Sequence, residues 1–261
     1  MWNSRKLKRQ DWYMCRYFLI AFFTCSIAIA TPTLAHNNYV PIQTQQQINL
    51  NDLITQGRMA YQAGKYAAAT QIWQEAEQTP RQGVDRALIF NYLALSSQKQ
   101  GNWQQAEEYI AKSLALFPEP ANLTVKSLNI YAQALNTRGR LELEMGQAET
   151  ALTTWKQAAT VYQQAKDDTG RIGTQINQAQ ALQTMGLYRR AQKLLQQITV
   201  ELNQQDDSTI KIAGLRSLGN ALRVTGDLDL AQEVLQQSLT VSQELNLPEE
   251  SSMTLFSLGN I

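Results

Sequence analysis

The sequence predicts an all-α protein: a solenoid of about five helix pairs followed by a truncated sixth. Three observations carry that prediction. A pattern of glycine and alanine returns five times at a period near 40 residues. Only 6 Pro and 13 Gly occur in 261 residues, which favours long helices over many tight turns. Apolar residues make up 44% and charged residues 17%, enough apolar side chain for a packed core and too little charge for general disorder.

Read in chain order, the first segment is set apart from the rest. Residues 1–16 are basic, residues 17–30 are an uncharged run of 14, and small residues stand at Thr33 and Ala35. A charged start, a short apolar centre and a small-residue end are the layout of a secretory signal peptide. Residues 1–35 are therefore expected to be removed after Ala35, with export to a periplasmic or extracellular compartment. A bilayer span needs about 20 apolar residues, more than this run supplies. The alternative is an uncleaved N-terminal membrane anchor. Cys15 and Cys25, the two cysteines, both lie in this segment, so a processed chain would have no thiol chemistry. Residues 36–50 are polar, rich in Gln and without periodicity, and are expected to form a linker. The single histidine, His36, falls there and is read as a bystander.

The repeats occupy 51–261, with units expected near 51–82, 83–120, 121–167, 168–206 and 207–248 and a partial unit at 249–261. Each unit has a small residue, a glycine seven positions later, an often large apolar residue two further on, and an alanine three beyond that. The small residues are Gly57, Ala94, Gly139, Ala179 and Gly219. The later glycines are Gly64, Gly101, Gly146, Gly186 and Gly226, spaced by 37, 45, 40 and 40 residues. Such a period holds two helices of about 15 to 18 residues and two turns.

Each position has a physical task. A glycine inside a helix costs about 1 kcal/mol relative to alanine, so its return at one place argues for close helix contact. The second glycine ends the first helix, where a left-handed residue is needed. Tyr66, Trp103, Tyr188 and Leu228 are expected to open the second helix. Ala69, Ala106, Ala151, Ala191 and Ala231 let the two helices approach. Trp73, Ile110, Trp155, Leu195 and Leu235 fill space between neighbouring pairs, each burial contributing roughly 1.5–3 kcal/mol. Trp73, Trp103 and Trp155 are all expected in the core.

These residues resemble the tetratricopeptide repeat (TPR), over about four-fifths of the chain. The usual repeat has 34 residues, and the longer period here is similar to kinesin light chain-like and bacterial signalling arrays. The resemblance implies a right-handed α-α superhelix whose first helices line a concave groove for a peptide or partner domain. Counted from the small residues, the inward set comprises Arg58, Tyr61, Asn91, Tyr92, Gln98, Lys99, Asn136, Arg140, Glu144, Asn177, Gln180, Arg216, Asn220 and Arg223. Asn91, Asn136, Asn177 and Asn220 put one amide in each of four consecutive units. An amide both donates and accepts, and so suits a peptide backbone of any sequence. Five bases against one acid in this set imply an acidic guest or a free carboxylate.

Several function classes have no support. Taking the five basic and one acidic residues of 1–35 from totals of 23 and 22 leaves 18 basic and 21 acidic groups, no footprint for nucleic acid. Phosphate-loop, dinucleotide, serine-elbow and zinc-protease motifs are missing, so neither catalysis, cofactor nor metal is expected. Asp167-Asp168 and Asp206-Asp207 sit where one unit ends and the next begins, and are read as helix N-terminal charges. The apolar run Leu255–Ile261 leads to the expectation of further repeats beyond Ile261. The layout is similar to the N-terminal half of bacterial CHAT-domain proteins, which would place a caspase-like peptidase after this chain. A homo-oligomeric structural array is the third reading.

Overall fold

A computed structural model of the chain describes residues 49–78, 83–117, 123–204 and 206–261. The expected signal segment and the linker as far as residue 48, with Cys15, Cys25 and His36, lie outside the described residues. Among the described residues there are eleven helices and no strand. They are α1 (Leu50–Gln62), α2 (Tyr66–Gln78), α3 (Val84–Lys99), α4 (Trp103–Ala115), α5 (Val125–Glu144), α6 (Ala148–Gln164), α7 (Asp168–Thr184), α8 (Tyr188–Leu202), α9 (Thr209–Thr225), α10 (Leu228–Glu244) and α11 (Pro248–Leu258). No described helix is long and apolar enough to cross a membrane.

Local chemistry sets the helix ends. Gly64, Gly101, Gly146, Gly186 and Gly226 all have φ between 72° and 91°. After each, an N–H reaches back to a carbonyl of the last helical turn, as Lys65 does to Ala60 at 2.9 Å and Leu187 to Leu182 at 2.8 Å. This pattern satisfies carbonyls that the helix would otherwise strand. Two turns between pairs achieve the same reversal without glycine, at Lys166 (φ 58°) and Asn246 (φ 54°). Four of the six helices that open a pair start under a side-chain cap. Asn49 accepts from Asn51 N–H, Thr124 from Ser127 N–H, Asp167 from Gly170 N–H and Ser208 from Lys211 N–H. Such caps are worth about 1 kcal/mol each.

Consecutive helices pack as antiparallel neighbours, and each first helix from α3 onward also touches the next first helix. Ala69, Ala106, Ala151, Ala191 and Ala231 are 0–1% exposed, at the narrowest point of each pair. The in-helix glycines take up bulk from the second helix. A Cβ on Gly57 would lie 2.2 Å from Trp73 Nε1, and one on Gly139 would lie 2.6 Å from Trp155 Nε1. At Gly219 it would lie 2.5 Å from Leu235 Cγ. Trp73 and Trp155 therefore lie over the glycine of their own pair. Trp103 is a correction: it is 42% exposed, in the first turn of α4, where Tyr188 and Leu228 are similarly exposed. That turn overhangs the pair's edge, so its side chains only half cover the core.

Candidate functional site

The first helices α1, α3, α5, α7 and α9 carry the fourteen inward positions counted from the sequence, and the structure gathers ten of them in three groups. The first is aromatic. Tyr92 stacks on Trp73 with ring centroids 4.8 Å apart and planes 13° apart. Tyr61 meets Tyr66 edge-on at 5.2 Å and Trp73 at 6.0 Å. Both tyrosines are partly buried, and burial raises their pKa values above the usual phenol range. Arg140 pulls Tyr61 back toward ionisation and Arg58 does so for Tyr92. Arg140 on α5 thus acts across to α1. Arg58 itself is exposed.

The second group is the centre of the groove. Asn136, Arg140, Asn177 and Gln180 line a concavity of about 590 Å³ between α5, α7 and α9. Asn177 Nδ2 donates to Asn136 Oδ1 at 2.9 Å, which joins two members of the asparagine series. The Asn136 backbone carbonyl accepts from Trp155 Nε1 at 3.1 Å, so the core tryptophan holds the helix turn that carries the amide. Small residues, Gly170, Gly173, Thr209 and Ala213, line the same concavity and keep it open. A Cβ on Gly173 would lie 3.2 Å from Ile210 Cδ1. The pair Gly170 and Gly173 lies outside the repeat pattern, and sequence reasoning passed it over.

The third group is Arg216, Asn220 and Arg223, beside Met253 and Phe256 in a second concavity of about 580 Å³. Arg216 Nη1 donates to Glu250 Oε2 at 2.6 Å, and both side chains are mostly buried. Asn220 Nδ2 donates to Ser257 Oγ at 3.3 Å. Arg223 Nε is buried with no partner among the described residues. Glu250 belongs to the first turn of α11 and stands outside the inward set counted from the sequence. It neutralises one of the five bases, and a charge-assisted pair of this kind is short because both partners are ionised.

Two predicted positions stand apart. Asn91 is 2% exposed and its Oδ1 has no partner, so its amide lies within the helix packing and not on the groove wall. Lys99 is exposed at the end of α3. Its neighbour Gln98 is buried and donates to Glu144 Oε2 at 2.7 Å, tying α3 to α5. The acid pairs serve helix starts. Asp167 caps α7, Asp168 pairs with Arg171 at 3.2 Å, and Asp207 pairs with Lys211 at 2.9 Å. Burial opposes the charge on Arg171, yet Glu201 and Asp168 together raise its pKa.

No family model and no curated protein matches the chain. Solved structures do. The chain is similar to a protein of nearly identical TPR-like repeats from Podosopora anserina, with 20% identity, 76% of this chain and 97% of that one covered, and a TM-score of 0.59. It is similar to a thermophilic TPR protein from Thermus thermophilus, with 19% identity, 80% and 100% covered, and a TM-score of 0.56. It is also similar to the Rap conjugation gene regulator of the plasmid pLS20 in complex with a Phr peptide, with 12% identity, 85% and 62% covered, and a TM-score of 0.67. At these identities the likeness concerns the fold, and the fold is a tetratricopeptide-type α-solenoid.

Proposed function

We propose that the chain is an interaction scaffold that holds an extended peptide or partner segment in the concavity between α5, α7 and α9. The single observation that carries this reading is the bonded pair Asn136–Asn177. The bond spends one acceptor and one donor hydrogen. It leaves the Asn136 amide NH2 and the Asn177 carbonyl oxygen without partners among the described residues, side by side on the groove wall. One donor and one acceptor, held in fixed relation, match the C=O and N–H of a peptide unit. Arg140 at the same wall favours an acidic guest, while Glu250, which also lines the concavity, is already paired with Arg216. The peptide bound to the Rap regulator agrees with this use of the fold.

Selection from a displayed peptide library, followed by calorimetry, tests the proposal. The double variant Asn136→Ala/Asn177→Ala is expected to weaken the selected ligand about tenfold or more, the loss of one to two hydrogen bonds. Arg140→Glu should weaken an acidic ligand more than Arg216→Glu does. Unchanged affinity in the double variant overturns the groove assignment.

The scaffold is further proposed to act after export. The support is the basic, apolar and small-residue order of residues 1–35. Mass spectrometry of the mature chain is expected to find His36 first; a chain that still begins at Met1 refutes export by this route.

A further inference from the structure

A different place in the array breaks the repeat's own rule. Four positions before its turn glycine, α5 borders the preceding pair across a cleft shared with α4. Four of the five units put Ala60, Ser97, Leu182 and Leu222 there, and the third unit puts Glu142 there. Glu142 is 7% exposed. One of its oxygens accepts from Arg138 Nε at 2.8 Å, and the other, Oε2, is buried with no partner among the described residues. A buried acceptor left unpaired is costly, so an exception of this kind marks a place where packing was given up for another task.

The facing position, six after the turn glycine, shows how the other junctions close. Between the first and second pairs the contact falls one residue earlier, at Ser96: Thr70 Oγ1 and Ser96 Oγ are 2.7 Å apart, with Gln100 Nε2 donating to Thr70 at 2.8 Å. Between the third and fourth, Leu152 and Leu182 are both buried in one core cluster. Between the second and third, the residues are Glu107 and Glu142, two like charges that cannot close on each other. A cleft of about 300 Å³ remains, with Ile110, Leu114, Leu141 and Met145 as its apolar walls.

We propose that this cleft binds a primary alkylammonium group, from a lysine side chain of a partner polypeptide or from a free amine. The aliphatic stem lies along Ile110, Leu114 and Leu141, and the ammonium is held by Glu142 and Glu107. Two carboxylates against one arginine, whose Nε is already committed to Glu142, suit a cation better than an anion. Met145, 39% exposed, is a flexible wall that yields as the stem enters and lets the ammonium reach Oε2. This site is separate from the groove of α5, α7 and α9 and stands or falls without it.

The test follows the Met145 methyl signal by NMR of the full chain during titration with n-pentylammonium chloride, Nα-acetyl-lysine N-methylamide, and neutral n-pentanol. Saturable shifts are expected with the amines, at affinity at least tenfold above that of pentanol. Glu142→Leu restores the residue used in the fourth and fifth units and should stay folded while losing the response. Glu142→Gln should weaken it at least tenfold. A response to the lysine derivative alone identifies a polypeptide source, and a response to pentylammonium alone identifies a free amine. No saturation with either amine, equal affinity for pentanol, or an unchanged response in Glu142→Leu overturns the proposal.

Discussion

The first and third helix pairs use the same device for different ends. In both, a tryptophan nine residues after the turn glycine lies over a glycine of the first helix: Trp73 over Gly57 and Trp155 over Gly139. Both indoles are 1% exposed. Their N–H groups differ. Trp155 Nε1 donates to the Asn136 carbonyl at 3.1 Å, whereas Trp73 Nε1 has no partner among the described residues and the ring instead stacks on Tyr92 of the next pair. The first pair spends its tryptophan on joining units. The third spends it on fixing the helix turn that carries the groove amide. A repeat consensus therefore sets where a ring goes and leaves open what its polar edge does.

The largest expected effect breaks what the two pairs share. Gly57→Ala should destabilise the chain by about 2–3 kcal/mol, because overpacking a closed contact outweighs the gain of about 1 kcal/mol from alanine's helix propensity. Gly139→Ala should cost somewhat less, since its Cβ would stand 2.6 Å or more from the indole and the ring has less far to move. Urea unfolding followed by circular dichroism measures both. Equal stability of the wild-type chain and Gly57→Ala would show that the Trp73 ring is free to move and that the close packing is not what selects glycine.

Much of the architecture was legible because backbone demands leave few choices. Helices α2, α4, α6, α8 and α10 begin two residues after a turn glycine, and those five glycines all adopt positive φ. The turns at Lys166 and Asn246 were invisible in the same code, since they adopt positive φ without glycine. Trp103 was misread by residue type: it stands two residues after its glycine, on the pair's edge, and not nine after, in the core. The groove was less legible than the fold. Asn91 and Asn136 both stand three residues before the small residue, yet one is buried and one lines a concavity. The same offset in two units thus gives two environments, since each position's surroundings depend on the neighbouring unit as well as on the local pattern. Glu250 and Glu142 both lay outside the counted positions. Glu250 belongs to the partial last unit, while Glu142 lies within a full unit and could have been found by comparing units for a charge where the others place Ala, Ser or Leu.

A smaller effect sharpens the comparison of the two tryptophans. Substitution by phenylalanine removes about the same ring area from either site, so the packing loss is similar. The N–H then separates them. Trp155→Phe gives up the bond to Asn136, whereas Trp73→Phe removes a buried donor that had no partner. A buried hydrogen bond contributes about 1 kcal/mol net, and an unpaired donor costs a similar amount or more, so Trp155→Phe should be the worse of the two by about 1–2 kcal/mol. The consequences should also differ in place. Hydrogen exchange at the amides around Asn136 is expected to quicken in Trp155→Phe, and the selected peptide should bind less tightly, while Trp73→Phe leaves both nearly unchanged. If the two variants lose equal stability and the Asn136 amides exchange at the wild-type rate in both, then the indole N–H of Trp155 does not hold the groove, and the asparagine pair owes its position to helix packing alone.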